Sequence, residues 1–257
     1  MPSCPPLDID RITPMLQGRW QVTTVVSTGS TNADLLVRAR RGAEAGQVLV
    51  AENQTAGRGR FERCWLSPPG SSLSTSVLLR PSRPMTDWGW LSLLVGVAVR
   101  DGVAAAGAGD RVRLKWPNDV LVGGRKICGI LCEGAGAAVV CGFGINVSQG
   151  LDELVFPNAT SLLLEGLPTD KTLVLAAILR RFAELVDAWD DGQDVSPDYI
   201  AACSTIGRQV RVHLDAEHPD EGTVVGTAVG IGDDGELLVE IDGEIRPFSA
   251  GDVVHLR

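Results

Sequence analysis

The chain has 257 residues, 44% hydrophobic and 21% charged, enough apolar material for one large unit plus a small appendage at ~150 residues per domain. Its formal charge is −9, from 32 acids against 23 bases, which argues against a nucleic-acid partner because phosphate binding needs clustered positive charge. No basic-then-apolar leader opens the chain, and the apolar stretches at 90–99 and 134–145 fall short of the ~20 residues of a membrane span, so a soluble cytoplasmic protein is expected.

Residues 20–26 read as a strand, followed by the turn Ser27-Thr28-Gly29 and a helix over 32–41. Thr31 and Asp34 have the spacing of a capping box at that helix start. A short apolar strand at 47–52 leads into 53–64, which carries Gly and Arg without periodicity and reads as a loop. Residues 71–79 alternate as a half-buried strand. A long helix over 86–106 has Leu91, Leu94, Val95 and Ala98 on one stripe. Residues 111–116 alternate again, and strands at 119–122 and 125–131 flank Gly123-Gly124, a strong hairpin signal. A strand over 137–147 and a helix over 170–189 complete this part, the helix carrying Leu175, Ile178, Phe182, Leu185 and Trp189 on its apolar stripe. Hairpins with helices packed on one face predict an α+β fold with a mixed, largely antiparallel sheet. After Ser204, strands at 209–214, 222–231, 236–241 and 244–248, turned by Asp234-Gly235 and Asp242-Gly243, predict a small SH3-like barrel. The expected units are therefore 1–203 and 204–257. The six cysteines (Cys4, Cys64, Cys128, Cys132, Cys141, Cys203) show no C-x-x-C spacing and read as buried free thiols of a reducing compartment.

The segment Gln54-Thr55-Ala56-Gly57-Arg58-Gly59-Arg60-Phe61-Glu62-Arg63-Cys64-Trp65 packs three arginines into six residues of an acidic protein. Glycines let backbone approach a ligand, and arginines offer planar forks for carboxylate or phosphate. Only Glu62 is an adjacent acid, so the cluster is expected to stand unneutralised and to order when an anion bridges its like charges. It lacks the Gly-Lys-Ser/Thr of a P-loop and the third glycine of a dinucleotide fingerprint, and spacing takes it only as far as an anion site. In Lys115-Trp116-Pro117-Asn118-Asp119, a tight turn explains every residue except Lys115. A two-residue Gly123-Gly124 turn would pair Val122 with Arg125, Leu121 with Lys126 and Asp119 with Cys128. Lys126 and Asp119 then become diagonal neighbours, either as a structural salt bridge or as joint servants of a ligand. Helix capping accounts for Ser30-Thr31-Asn32, although a helix N-terminus also presents free N–H groups to a polar ligand.

Taken together, Gly29-Ser30-Thr31-Asn32, the 54–60 segment with Trp65, Lys115-Trp116-Pro117-Asn118-Asp119 and Arg125-Lys126-Ile127-Cys128-Gly129-Ile130-Leu131 resemble, in order and spacing, the biotin–protein ligase family. The resemblance runs from about residue 18 to the C-terminus. It implies a biotin–lipoate ligase fold, akin to class II aminoacyl-tRNA synthetases, with an SH3-like C-terminal domain. It implies that ATP and biotin, with Mg²⁺, give biotinyl-5′-AMP, and that a lysine of the biotin carboxyl carrier domain of an acyl-CoA carboxylase then takes the biotinyl group. By the same resemblance, Ser30, Thr31, Asn32, Gln54, Arg58, Gly59, Arg60, Lys126 and Gly129 contact biotin. Arg60, Arg63 and Trp65 lie toward the nucleotide, and Asn118, Asn146 and the 159–162 segment with Ala159 form the adenylate side. Lys126, Arg58 and Asp119 are the expected catalytic groups; metal ligands are not assigned.

This sequence departs from the family at Phe61-Glu62, where another Arg-Gly is usual, and the acid is expected to weaken the local field. About 17 residues precede the catalytic region, too few for a DNA-binding domain, so a monofunctional ligase rather than a repressor is expected, as a monomer or weak homodimer. The alternatives are a lipoate–protein ligase of the same fold and a non-catalytic biotin- or nucleotide-binding regulator.

Overall fold

A computed structural model describes residues 4–61, 63–213 and 223–256. Expectations that fall on Glu62 and on the connection after His213 lie outside the described residues. A short helix α1 (Ile9–Ile12) precedes β1 (Gln21–Val25), α2 (Thr31–Arg40), β2 (Gln47–Ala51) and β3 (Ser72–Leu79). Then come α3 (Gly89–Val103), β4 (Val112–Lys115), β5 (Asp119–Val122), β6 (Arg125–Ala135) and β7 (Ala138–Asn146), followed by α4 (Lys171–Asp190) and α5 (Ser196–Ala202). The C-terminal strands are β8 (Gln209–His213), β9 (Thr223–Ile231), β10 (Leu237–Ile241), β11 (Glu244–Phe248) and β12 (Asp252–His255). Helices α1 and α5 and strand β12 were not expected from the sequence; each is too short to develop a period of its own.

The seven-stranded sheet runs β1-β2-β3-β7-β6-β5-β4. Only β1 and β2 are parallel, joined across α2; every other pair is antiparallel, so the sheet is mixed and largely antiparallel as expected. The long helices α3 and α4 pack on one face, over Val77, Val139, Cys141, Phe143 and Ile145. Helix α2 adds a smaller cover on the other face, where Leu35, Leu36 and Ala39 meet Leu49, Leu78 and Val140. Layers on both faces bury β3 from end to end, against the half-buried strand expected. Its alternating serines imitate a solvent face. They instead line the α2 side, where Ser72 bonds Ser74 at 3.2 Å and Ser76 bonds Asn32. A polar period of two marks a polar face, and the layer above decides whether that face is wet.

The helical run Met85–Arg111 is long and apolar enough, by length and composition, to cross a membrane. Its Leu91, Leu94, Val97 and Ala98 are wholly buried against the sheet and α4, so the apolarity is used by the core. Within the run, 3₁₀ and π turns flank α3, which is why the uninterrupted helix expected over 86–106 is shorter at both ends.

The C-terminal strands form one antiparallel sheet, β11-β10-β9-β8-β12. Among the described residues its edge strands β11 and β12 share no ladder, so the barrel expected is an open sheet here. It is tied to α3 and to the β4–β5 turn by indole donors: Trp90 Nε1 bonds Asp233 O at 2.7 Å, and Trp116 Nε1 bonds Gly235 O at 3.1 Å. All six cysteines are free thiols, but only Cys128, Cys141 and Cys203 are buried, while Cys64 is exposed.

Candidate active site

One cavity of about 570 Å³ opens between the start of α2, the 54–65 segment, the β5–β6 hairpin and β12. That size is within the ~300–1,000 Å³ of small-molecule sites. It is lined by Ser30, Thr31, Asn32, Gln54, Arg58, Gly59, Arg60, Arg63, Trp65, Asn118, Asp119, Lys126 and Gly129, which brings together most of the residues singled out above. Asn146 and Ala159 are not among them. They line a small adjoining cavity that shares Trp65, Lys126 and Phe156 with the large one.

At the first end, helix α2 starts one residue earlier than expected. Ser30, not Thr31, is the N-cap, its Oγ accepting from Ala33 N, and Asp34 accepts instead from the Thr28 hydroxyl at 2.6 Å. Capping therefore explains Ser30 alone, and Thr31 and Asn32 are left as buried polar side chains. Burying them requires partners. Gln54 Oε1 accepts from Thr31 N at 2.9 Å, and Ser76 donates to Asn32 Oδ1 at 2.5 Å. Asn32 Nδ2 donates to Leu131 O at 3.0 Å and to Glu133 Oε2 at 2.8 Å. Two glycines of β7 floor this end. A Cβ on Gly142 would stand 2.1 Å from Asn32 Oδ1, and one on Gly144 would stand 2.5 Å from the Trp65 ring.

The arginine segment is a small ribbon rather than an open loop. Arg58 and Cys64 form an antiparallel bridge, Gly59 N donates to Arg63 O at 2.6 Å, and Trp65 N donates to Gly57 O at 2.9 Å. Nor do its arginines stand unneutralised. Arg58 pairs with Glu133 at 2.7 Å, and Arg63 pairs with Asp252 of β12. Arg60 Nη1 donates to Gly251 O at 3.3 Å, and its guanidinium lies over Phe61 at 4.9 Å. Burial pulls the Arg60 guanidinium below its ordinary value, opposed by the carboxylates of Asp252 and Asp119. The neutralising acids come from strands distant in sequence, which no inspection of neighbouring residues could supply. Mutual repulsion is therefore not what governs this segment. Trp65 Nε1, buried at its foot, has no hydrogen-bond partner among the described residues.

On the hairpin, Gly123 and Gly124 take φ of +56° and +80°, the two-residue turn expected. Val122 pairs with Arg125 and Leu121 with Lys126, but Asp119 pairs with Gly129 rather than Cys128. A β-bulge at Ile127 accounts for the shift: it lets Ile127 and Cys128, both wholly buried, enter the core in succession. Lys126 Nζ meets Asp119 Oδ1 at 2.5 Å, and both side chains line the cavity, so the ion pair and the ligand-facing placement hold together. The Lys126 backbone is clamped as Lys126 N donates to Asn158 O and Thr160 N donates to Lys126 O, each at 2.8 Å. Asn118 Nδ2 donates to Ile130 O at 2.9 Å, tying the preceding turn to β6.

Sequence reasoning missed Glu133, Asp252 and His255. Glu133 had a signal: it lies two residues beyond Leu131 on the same strand face. Asp252 and His255 had none. His255 Nε2 stands 3.0 Å from Thr205 Oγ1, which accepts from Trp116 N at 3.1 Å. Burial, helped by the cations Lys115 and Arg208, pushes the imidazole down to about 4 from 6.5. The folded ring therefore binds its proton more weakly than the unfolded one. Its contribution to stability is intact above pH 6.5 and is lost as pH falls toward about 4. Across that window the wild type is expected to lose Tm more steeply than His255→Gln in thermal melts; parallel slopes would remove His255 as the cause.

Residues 24–148 match the Biotin/lipoate A/B protein ligase family, and residues 205–256 match the Biotin protein ligase C terminal domain. The fold and this cavity thus define a ligase of the biotin/lipoate class. A biotin–[acetyl-CoA-carboxylase] ligase of Mycobacterium tuberculosis is 44% identical over 98% of this chain and 97% of its own length. A bifunctional ligase/repressor BirA of Bacillus spizizenii is 36% identical over 89% of this chain and 71% of its own. The structure of a biotin protein ligase from Aquifex aeolicus in complex with biotin and ATP superposes with a TM-score of 0.78 at 27% identity, covering 92% of this chain and 99% of that one. Within that class the chain belongs to the biotin–protein ligases.

Proposed function

We propose that this chain is an ATP-dependent biotin–protein ligase that forms biotinyl-5′-AMP and passes the biotinyl group to a lysine of the biotin carboxyl carrier domain of an acyl-CoA carboxylase. The observation that carries the reading is the convergence of Lys126, Arg58 and Arg60 on one cavity whose far end is lined by buried neutral polar groups. A fused-ring urea suits that far end, and an acid group suits the cations.

In this reading Ser30, Thr31, Asn32 and Gln54 hold the polar head of biotin, and Gly129 leaves room beside the Lys126 stem. Arg58, Gly59, Arg60 and Lys126 receive its carboxylate and the α-phosphate. Arg63, Trp65 and Asn118 border the nucleotide. Asn146 and Ala159, in the adjoining cavity, lie on the adenylate side. A carboxylate oxygen of biotin attacks the α-phosphorus, and the bond to pyrophosphate breaks. Two anions meet in that step, so fixed cations must offset both the approach and the charge growing on phosphorus. The acceptor amine then attacks the anhydride carbonyl and AMP leaves. Asp119 lines the same cavity beside Lys126 and is suited to take a proton from the incoming ammonium.

Among the described residues no three His, Cys, Asp or Glu side chains converge to hold a metal. Mg²⁺ commonly enters such sites on nucleotide phosphates, which suits a cavity whose described residues offer no such cluster. Residues 1–203 form the catalytic unit in this reading and 204–257 the C-terminal unit. Six free thiols suit a reducing compartment such as the cytoplasm.

ATP–pyrophosphate exchange tests the proposal: it is expected to require biotin. Exchange supported by lipoate instead would favour the lipoate ligase, and binding of biotin without exchange would favour a regulator. Labelled biotin is then expected to appear on a carrier domain.

A further inference from the structure

The Glu133 carboxylate sits at a junction that the proposed chemistry does not use. Its Oε2 accepts from Arg58 Nη2 at 2.7 Å and from Asn32 Nδ2 at 2.8 Å. Arg58 belongs to the glycine-rich ribbon, Asn32 to the first turn of α2, and Glu133 to β6, where it pairs with Val140 of the fully buried strand β7. The glutamate side chain is 24% exposed, and Arg58 is 40% exposed.

We propose that Glu133 is a positioning residue for biotin, setting at once the guanidinium that meets its carboxylate and the amide beside its head. Two features of the contacts support this. First, Asn32 Nδ2 also bonds Leu131 O at 3.0 Å, so both amide hydrogens are committed and Oδ1 is turned toward Ser76 and the cavity side. Glu133 thereby fixes which way round that amide stands. Second, a guanidinium has five donors, and holding one nitrogen on Glu133 leaves the others for an incoming anion. A carboxylate on a strand laddered to the buried β7 thus aims a cation carried by the glycine-rich segment, lowering the ordering cost when the ligand arrives.

This rests on the biotin–protein ligase reading, and the test separates the two. Glu133→Gln keeps an acceptor for Asn32 but removes the charge that holds Arg58; Glu133→Asp keeps the charge with shorter reach. In biotin-dependent pyrophosphate exchange, Glu133→Gln is expected to raise the KM for biotin about 5–20-fold, the scale of one charge-assisted contact, with less effect on kcat. Glu133→Asp should recover part of the loss. Trypsin should cleave the ligand-free Gln variant at the segment's arginines several-fold faster than wild type, and saturating biotin with ATP should restore protection. An unchanged KM, or a raised KM with unaltered cleavage, would overturn the positioning role. Wild-type protein without biotin-dependent exchange would overturn the functional reading instead, while the cleavage comparison would still judge the Glu133 contact.

Discussion

Replacing Lys126 with alanine is expected to slow biotin-dependent ATP–pyrophosphate exchange by ~10²–10³-fold, or ~2.7–4 kcal/mol, the usual worth of one preorganised charge-stabilising donor. The prediction follows from how the lysine is held. Its backbone is bonded on both sides by the 158–160 segment, its Nζ is fixed on Asp119 at 2.5 Å, and the side chain projects into the cavity beside Trp65 and Gly129. A cation so placed does not reorganise as charge develops. Alanine also leaves Asp119 without its partner, an added electrostatic penalty for a second anion in the same space. Lys126→Arg separates these effects, since it restores a charge for Asp119 but substitutes a broad planar group for a point cation. It should recover stability more fully than turnover. Exchange at the wild-type rate in the alanine variant would remove Lys126 from the chemistry.

The second large effect is expected at a residue with no side chain. Gly142→Ala would put a Cβ 2.1 Å from Asn32 Oδ1, inside any real contact, on a strand buried along its whole length. Because β7 is paired on both sides, with β3 and β6, the backbone has little room to yield. Asn32 must move, and with it the bonds to Ser76, Leu131 and Glu133. Overpacking of this kind costs ~1–3 kcal/mol, which as lost affinity is about 5–150-fold. Biotin affinity by calorimetry should fall by that amount, while nucleotide binding, which the proposed reading assigns to Arg63, Trp65 and Asn118, should change far less. Unaltered biotin binding would mean that Asn32 does not need its present position.

Short-range features of this molecule were readable from the chain because their physics is short-range. Gly123-Gly124 specifies a two-residue turn, and a period of two on either side places Lys126 near Asp119 without knowledge of anything else. The 3.6-residue stripes of α3 and α4 likewise reveal helices with a core-facing side. The serines of β3 show the limit: their spacing announces a polar face but not the helix above it. The bulge at Ile127 shows another, since the gain from burying Ile127 and Cys128 together depends on the core that receives them.

What the sequence by itself determined was the set of local elements, the hairpin that carries Lys126, and the glycine–arginine strip that needs an anion. Only the tertiary structure decided which anions it meets when no ligand is bound. Glu133 lies 75 residues from Arg58, and Asp252 lies 189 from Arg63. Such pairings follow from sheet order and from where β12 is seated. Electrostatic attraction acts on distance in space, and the burial of apolar surface throughout the chain sets that distance.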